Sequence, residues 1–202
     1  MNRQTEDIKA IREMMERSSK FQLLNGLSIV FAGLIACAGA AFAYFYLLRN
    51  PSLTDYNRCQ ETLILLADAL FVLALAVGVI GFFCYRKAKR NHQSLFNSVT
   101  RRAAGSLLIP LATGGIFSLL FLFRGEIEIV AASTLIFYGL ALVNASRYTC
   151  PEIYYLGISE IIIGLFAAII LYHGLLWWTI GFGFLHLIFG ALIYIKYDTT
   201  KK

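Results

Sequence analysis

The sequence predicts an all-α membrane protein: a bundle of six transmembrane helices arranged as three hairpins, with both termini in the cytoplasm. Composition is the first reason, because 58% of the 202 residues are hydrophobic and only 15% are charged, whereas globular domains average about 45 to 50% apolar and about 25% charged residues. Six apolar stretches of suitable length are the second. The third is that basic residues gather in the links that would share one side of the membrane.

Each apolar stretch is near the ~20 residues with which a helix crosses ~30 Å of hydrocarbon. Lipid offers no partners to bare backbone groups, and no period-2 alternation indicates barrel strands, so the stretches are predicted to be helices. The fourth is the shortest. In chain order they run from Phe21 to Leu48, Thr62 to Tyr85, Ala103 to Phe123, Ile129 to Ala145, Ile153 to Tyr172 and Leu175 to Ile195.

Turn-forming residues separate these stretches at several links. Asn50, Pro51 and Ser52 follow the first stretch; Arg124, Gly125 and Glu126 follow the third; Cys150 and Pro151 follow the fourth. The fifth link is predicted to be a tight turn at His173 and Gly174. Two tryptophans come just after this turn, where indole rings favour the membrane interface.

The distribution of lysine and arginine predicts the orientation. Of the 18 basic residues, all but Arg49, Arg58 and Arg124 fall on one face of the predicted bundle. The positive-inside rule places that face in the cytoplasm, and an even number of spans brings both termini there. We therefore predict a multi-pass protein of the plasma membrane, specifically a bacterial inner membrane, with an arm at 1–20, a transmembrane domain at 21–196 and a tail at 197–202.

The arm at 1–20 has the pattern of an amphipathic helix, in which Ile8, Ile11 and Met15 share a face. It is expected either to lie on the inner leaflet or to dock a cytoplasmic protein. The lipid bilayer is the main predicted partner, with a homo-oligomer or a cytoplasmic protein as further partners. Nucleic acid is not predicted despite the net charge of +6, because the basic residues lie in short links rather than on a folded surface.

Three ionisable residues lie well inside apolar stretches and are the predicted binding residues: Glu160, His186 and Asp68. A charged side chain costs at least ~2.5 kcal/mol at mid-bilayer, so each should face protein or water. Glu160 and His186 lie about equally far from the centre of the fifth link, which predicts the same depth. Small residues on both stretches would let the helices approach closely.

Two interpretations of the Glu160 and His186 pair stay open. A histidine beside a carboxylate titrates near neutral pH, which suggests a protonation-sensitive site. The alternative is an interhelical hydrogen bond that only holds the fifth and sixth spans together. Asp68 is expected to lie opposite the small residues Ala38 to Ala41 of the first span, either in a polar pocket or as a neutral or outward-reaching side chain.

No catalytic or metal-binding pattern is present. The three histidines form no HExxH motif, and the four cysteines form no CxxC pair and are predicted to be unpaired. The sequence Gly157-Ile158-Ser159-Glu160 departs from the GxSG of rhomboid proteases. We therefore predict no enzyme activity, no catalytic residues, no metal and no cofactor.

The segment from Ile11 to Phe21, IREMMERSSKF, leads into Gly26-Leu27-Ser28 and then Ala32-Gly33. Over about thirty residues this resembles the start of an uncharacterised family of small bacterial six-span membrane proteins. The resemblance implies a bacterial inner membrane location and no particular activity.

Two classes of function remain from the sequence. In the first, the protein handles a small solute or an ion through a polar site between the fifth and sixth transmembrane helices. In the second, it is a non-transporting membrane sensor or accessory subunit that assembles with membrane or cytoplasmic proteins.

Overall fold

The computed structural model describes residues 25–49, 55–90 and 98–199, and these parts of the chain are helical apart from short turns. The first five long helices are α1 (Gly26–Arg49), α2 (Asp55–Arg90), α3 (Ser98–Phe123), α4 (Ile127–Ala145) and α5 (Pro151–Ile169). A 3₁₀ turn at Ser146–Tyr148 joins α4 to α5. Pro151 at the first position of α5 has the φ that a helix start requires.

A composite segment, Leu171–Asp198, follows α5 and is here called the sixth span. It contains a 3₁₀ turn at Leu171–His173, the short helix α6 (Gly174–Trp178), a π-helix at Thr179–Leu185, the helix α7 (His186–Ile193) and a second π-helix at Tyr194–Asp198. The chain leaves helical geometry at Ile170 (φ −114°, ψ 73°). The break therefore comes earlier than the turn predicted at His173 and Gly174.

Six segments of the described residues are long and apolar enough to cross a membrane, which confirms that part of the sequence prediction. They are Gly26–Tyr46, Thr62–Arg90, Val99–Phe123, Ile127–Tyr148, Pro151–Ile169 and Leu171–Asp198. The predicted start of the first stretch at Phe21 and the arm at 1–20 lie outside the described residues. The helix α2 extends beyond its apolar stretch at both ends. At its C-terminal end the added residues are mostly lysine and arginine, which are good helix formers.

Four segments form the centre of the bundle: α1, α4, α5 and the sixth span. The sixth span contacts each of the other three, and α4 packs along α5. The remaining two helices are peripheral, since α2 packs on α1 and α3 packs on α4. As a result, α2 and α3 leave most of their apolar surface uncovered within the described residues.

Glycines allow the central helices to approach at backbone distance. A Cβ on Gly139 of α4 would lie 2.6 Å from the carbonyl oxygen of Gly157 on α5, and one on Gly157 would lie 2.8 Å from the carbonyl oxygen of Gly139. The sixth span meets α1 in the same way, because a Cβ on Gly190 would lie 2.7 Å from the backbone nitrogen of Val30. Packing of this kind is the usual means of helix association in lipid.

Asp198 ties three helix ends together at one end of the bundle, which we call the basic end. Its Oδ2 accepts a hydrogen bond of 2.9 Å from the backbone N–H of Gly26, where α1 begins. Its Oδ1 is 2.9 Å from Nζ of Lys87 near the end of α2. Nearby, Lys196 of the sixth span pairs with Glu152 at the start of α5. The ends of four segments thus meet at one level.

Asp198→Asn should lower the free energy of unfolding by about 1 kcal/mol, because the substitution removes a charge-assisted bond at a half-buried site. Titration of the detergent-solubilised protein with SDS measures this change. Glu128→Gln is the control, since Glu128 is an exposed carboxylate near the start of α4. Equal stability of the two variants would contradict the role given to Asp198.

Candidate functional site

The structure brings Glu160 and His186 together in the centre of the bundle. Glu160 is the tenth of the 19 residues of α5, and its side chain is 0% exposed. His186 is the first residue of α7 and is 5% exposed. The Oε1 of Glu160 lies 3.4 Å from Nδ1 of His186. Both side chains are therefore closed off from the surface at the middle of their spans.

Two hydrogen bonds hold the His186 ring. Its Nδ1 lies 3.1 Å from the carbonyl oxygen of Gly181, five residues earlier in the same span. Its Nε2 lies 2.8 Å from the hydroxyl of Tyr138 on α4. A carbonyl oxygen can only accept, so Nδ1 carries a proton, and in the neutral ring Nε2 accepts a hydrogen bond from Tyr138. Both ring nitrogens are thus satisfied without Glu160.

Glu160 has no such partners. Neither carboxyl oxygen has a hydrogen-bond partner among the described residues, although both are fully buried. Leaving a buried polar group unpaired costs about 1–3 kcal/mol, and more when the group is charged. Helix packing alone gives no reason to keep a carboxyl group at this position.

The π-helix Thr179–Leu185 and Gly181 make room for this carboxyl group. A Cβ on Gly181 would lie 2.5 Å from Oε2 of Glu160, so any larger residue would displace the carboxyl. The same backbone unit presents its carbonyl to His186. Short π-helical segments within α-helices occur frequently at functional sites. Here the π-helix provides space for the Glu160 carboxyl group and a carbonyl acceptor for the His186 ring.

Four segments enclose the cluster. Tyr138 belongs to α4, Glu160 to α5, and His186 to the sixth span, while Gly33 of α1 covers the histidine, since a Cβ on Gly33 would lie 3.1 Å from Cβ of His186. The ring of Phe182 stacks near the imidazole, with centroids 6.1 Å apart. We call Tyr138, Glu160, Gly181 and His186 the buried cluster.

Asp68 lies apart from the buried cluster. It is on α2, partly exposed, and its Oδ2 is near Gly39 of α1, where a Cβ would lie 3.5 Å away. This is the small-residue stretch expected opposite Asp68. Because α2 packs along α1 and meets the sixth span at the basic end, where Lys87 pairs with Asp198, the third predicted binding residue does not join the other two.

In the described parts of the chain, no group of three or more His, Cys, Asp or Glu residues is placed to hold a metal ion. Cys37, Cys84 and Cys150 are free thiols. The side chain of Cys59 lies outside the described residues.

Sequence reasoning missed two members of the buried cluster, Tyr138 and Gly181. Tyr138 precedes Gly139 in the middle of α4, and a tyrosine hydroxyl at that depth needs a partner, which was the available signal. Gly181 gave no signal, because its role depends on the π-helical geometry of the sixth span.

No family model, no curated protein and no solved structure matches this chain.

Proposed function

We propose that this chain is an integral protein of a bacterial plasma membrane that crosses the bilayer six times, with both termini in the cytoplasm. Support comes from the basic end of the bundle, which carries most described lysines and arginines, while Arg49 and Arg124 lie at the opposite end. The aromatic pair Trp177 and Trp178 is near that opposite end, as expected at an outer interface.

We further propose that the protein handles an ion, and that this ion is a proton bound at the buried cluster. The observation that carries this proposal is the Glu160 carboxyl group, which is fully buried and has no hydrogen-bond partner for either oxygen in the part of the chain that the structure describes. An ionised carboxylate in such a place is costly unless a cation accompanies it. A proton is the only cation that needs no further ligands.

The protons of the neutral cluster can be distributed in two ways. In one, Glu160 is a neutral carboxylic acid and His186 accepts from Tyr138. In the other, Glu160 is a carboxylate beside an imidazolium ring, and the Nε2–H group donates to the Tyr138 oxygen. Because Nδ1 already carries a proton, the proton that leaves Glu160 has to be taken up at Nε2 on the far side of the ring, which requires water or a rotation of the imidazole. Once Nε2 is protonated, rotation of the Tyr138 hydroxyl lets its oxygen accept the hydrogen bond across the same 2.8 Å separation. Both arrangements are neutral overall.

Gain or loss of one further proton would leave a net charge among packed helices, which is strongly unfavourable. Proton exchange therefore requires water to reach the cluster. The described conformation is closed, since Glu160 is fully buried, so handling of a proton needs a second, open conformation. The π-helix at Thr179–Leu185 is the element of the sixth span most suited to rearrange.

Proteoliposomes with an internal pH-sensitive dye test this proposal. An inward-driving membrane potential should acidify vesicles that contain the native protein, and Glu160→Gln should reduce the rate to that of empty vesicles. Glu128→Gln is the matched control, because it makes the same change at an exposed carboxylate and should preserve the rate. Equal rates for native protein and empty vesicles would refute the proton-handling function.

The second candidate is a non-transporting sensor or accessory subunit. The uncovered apolar faces of α2 and α3 favour it, because they leave room for other membrane helices. In that case no proton movement would be seen, and a partner would co-purify from native membranes. Deletion of residues 1–18 should remove a cytoplasmic partner, whereas exchange of apolar residues on α2 should remove a membrane partner.

A further inference from the structure

The end of α2 carries a basic and aromatic face that belongs to neither the buried cluster nor the central packing. It consists of Phe82, Tyr85, Arg86, Lys89 and Arg90, which recur at helical spacing and line a shallow groove of about 330 Å³. We call these five residues the α2 basic face. The two aromatic side chains are 59% and 55% exposed.

Packing fixes which side of α2 looks outward. Cys84 and Ala88 are buried, and Phe83 stacks on Phe31 of α1 with ring centroids 5.8 Å apart. Lys87 turns to the sixth span, where Asp198 binds it. The α2 basic face therefore points away from the bundle. Arg86, Lys89 and Arg90 have no carboxylate partner among the described residues.

The bond between Lys87 and Asp198 also sets the level of this face. Asp198 caps the first N–H of α1, so Lys87 lies at the height where α1 begins. Arg86, Lys89 and Arg90 are within one turn of that height, at the proposed membrane surface. Phe82 lies about one turn deeper, toward the hydrocarbon. Cations thus lie at headgroup depth above an aromatic side chain at acyl-chain depth.

We propose that the α2 basic face binds the headgroup of an anionic phospholipid from the inner leaflet. The phosphate would accept hydrogen bonds from Arg86 and Arg90, whose forked guanidinium groups suit phosphate oxygens, with Lys89 as an additional cation. The upper acyl chain would lie along Phe82 and the ring of Tyr85. Basic residues directly beyond a transmembrane helix are typical of anionic lipid recognition.

Native mass spectrometry of the full chain in a neutral detergent tests this site. The probes are a phosphatidylglycerol and a phosphatidylcholine with identical acyl chains. We expect one retained phosphatidylglycerol per chain and a clear preference over phosphatidylcholine. The triple variant Arg86→Gln, Lys89→Gln, Arg90→Gln should bind phosphatidylglycerol about tenfold more weakly or worse, because charge-assisted bonds to phosphate are lost.

Arg101→Gln with Arg102→Gln is the matched control, since both arginines are exposed at the start of α3, on the same side of the membrane. This double variant should still retain one phosphatidylglycerol per chain. A second variant, Arg86→Lys with Arg90→Lys, keeps the charge and should keep the headgroup preference with weaker binding, which separates a lost site from a misfolded chain.

Three outcomes would overturn the proposal. Equal retention of the two lipids would remove the headgroup specificity. Displacement of the lipid by millimolar inorganic phosphate would indicate a soluble anion site instead. Unchanged phosphatidylglycerol binding in the triple variant would show that the lipid binds elsewhere. An acidic segment of a partner protein would then be the alternative ligand of this face.

Discussion

Gly139→Ala is expected to lower the free energy of unfolding by about 2 kcal/mol. The added Cβ would lie 2.6 Å from the carbonyl oxygen of Gly157 and 2.9 Å from the backbone nitrogen of Ile161. Backbone atoms cannot rotate away, so α4 and α5 must separate and lose contacts along their whole interface. SDS titration followed by the fluorescence of the two tryptophans measures the loss.

The chain offers controls for this prediction on α3. A Cβ on Gly105 or Gly115 would meet nothing within 4 Å, so alanine at either position should change stability by no more than about 0.5 kcal/mol. Gly157→Ala should lower the free energy of unfolding by a similar amount, since its added Cβ would lie 2.8 Å from the carbonyl oxygen of Gly139. Equal stability of Gly139→Ala and Gly115→Ala would contradict the close approach of α4 to α5.

Separation of α4 from α5 should also disturb the buried cluster. Tyr138 is the residue before Gly139, so a shift of α4 moves its hydroxyl away from Nε2 of His186. Gly139→Ala should therefore slow proton uptake in proteoliposomes even at temperatures where it remains folded.

Glu160→Met is expected to raise the free energy of unfolding by about 2 kcal/mol while abolishing proton uptake. Methionine nearly preserves the volume and removes two buried oxygens that have no hydrogen-bond partner among the described residues. His186 keeps its bonds to Gly181 and Tyr138. Opposite effects on stability and activity are typical of a site kept for function at the expense of stability.

Glu152→Met is the matched control on the same helix. The Glu152 carboxylate accepts hydrogen bonds from Lys196 and from the Tyr197 hydroxyl, so its loss should destabilise the protein by about 1 kcal/mol. Destabilisation by Glu160→Met as well would support the other interpretation, in which the Glu160 and His186 pair only holds α5 to the sixth span.

The bounds of α4 and the relative depths of the ionisable residues follow from hydropathy and from counting residues along the chain. The start of α4 was predicted at Ile129 and is at Ile127, and both descriptions end this helix at Ala145. The equal depth of Glu160 and His186 follows from counting residues on either side of a short link, and the structure places the two side chains 3.4 Å apart. Counting also placed Asp68 opposite the small residues of α1, where Gly39 lies beside it.

Three other features cannot be predicted from local sequence patterns. The break at Ile170 occurs without a glycine or proline within three residues on either side, and the short helix that follows it, α6, packs on α4. The position of Tyr138 against His186 joins residues 48 positions apart, through a contact between α4 and the sixth span. The separation of Asp68 from the buried cluster depends on which helices become neighbours.

By itself, the sequence determined that the chain contains six apolar segments, where α4 begins and ends to within two residues, and which ionisable residues lie inside the segments. These properties depend on hydropathy and on the rise per residue, which are local quantities. Only the tertiary structure decided that Glu160 is buried with no hydrogen-bond partner among residues 25–49, 55–90 and 98–199, while both ring nitrogens of His186 are bonded. That difference arises from the π-helical backbone at Gly181 and from glycine contacts between helices distant in sequence.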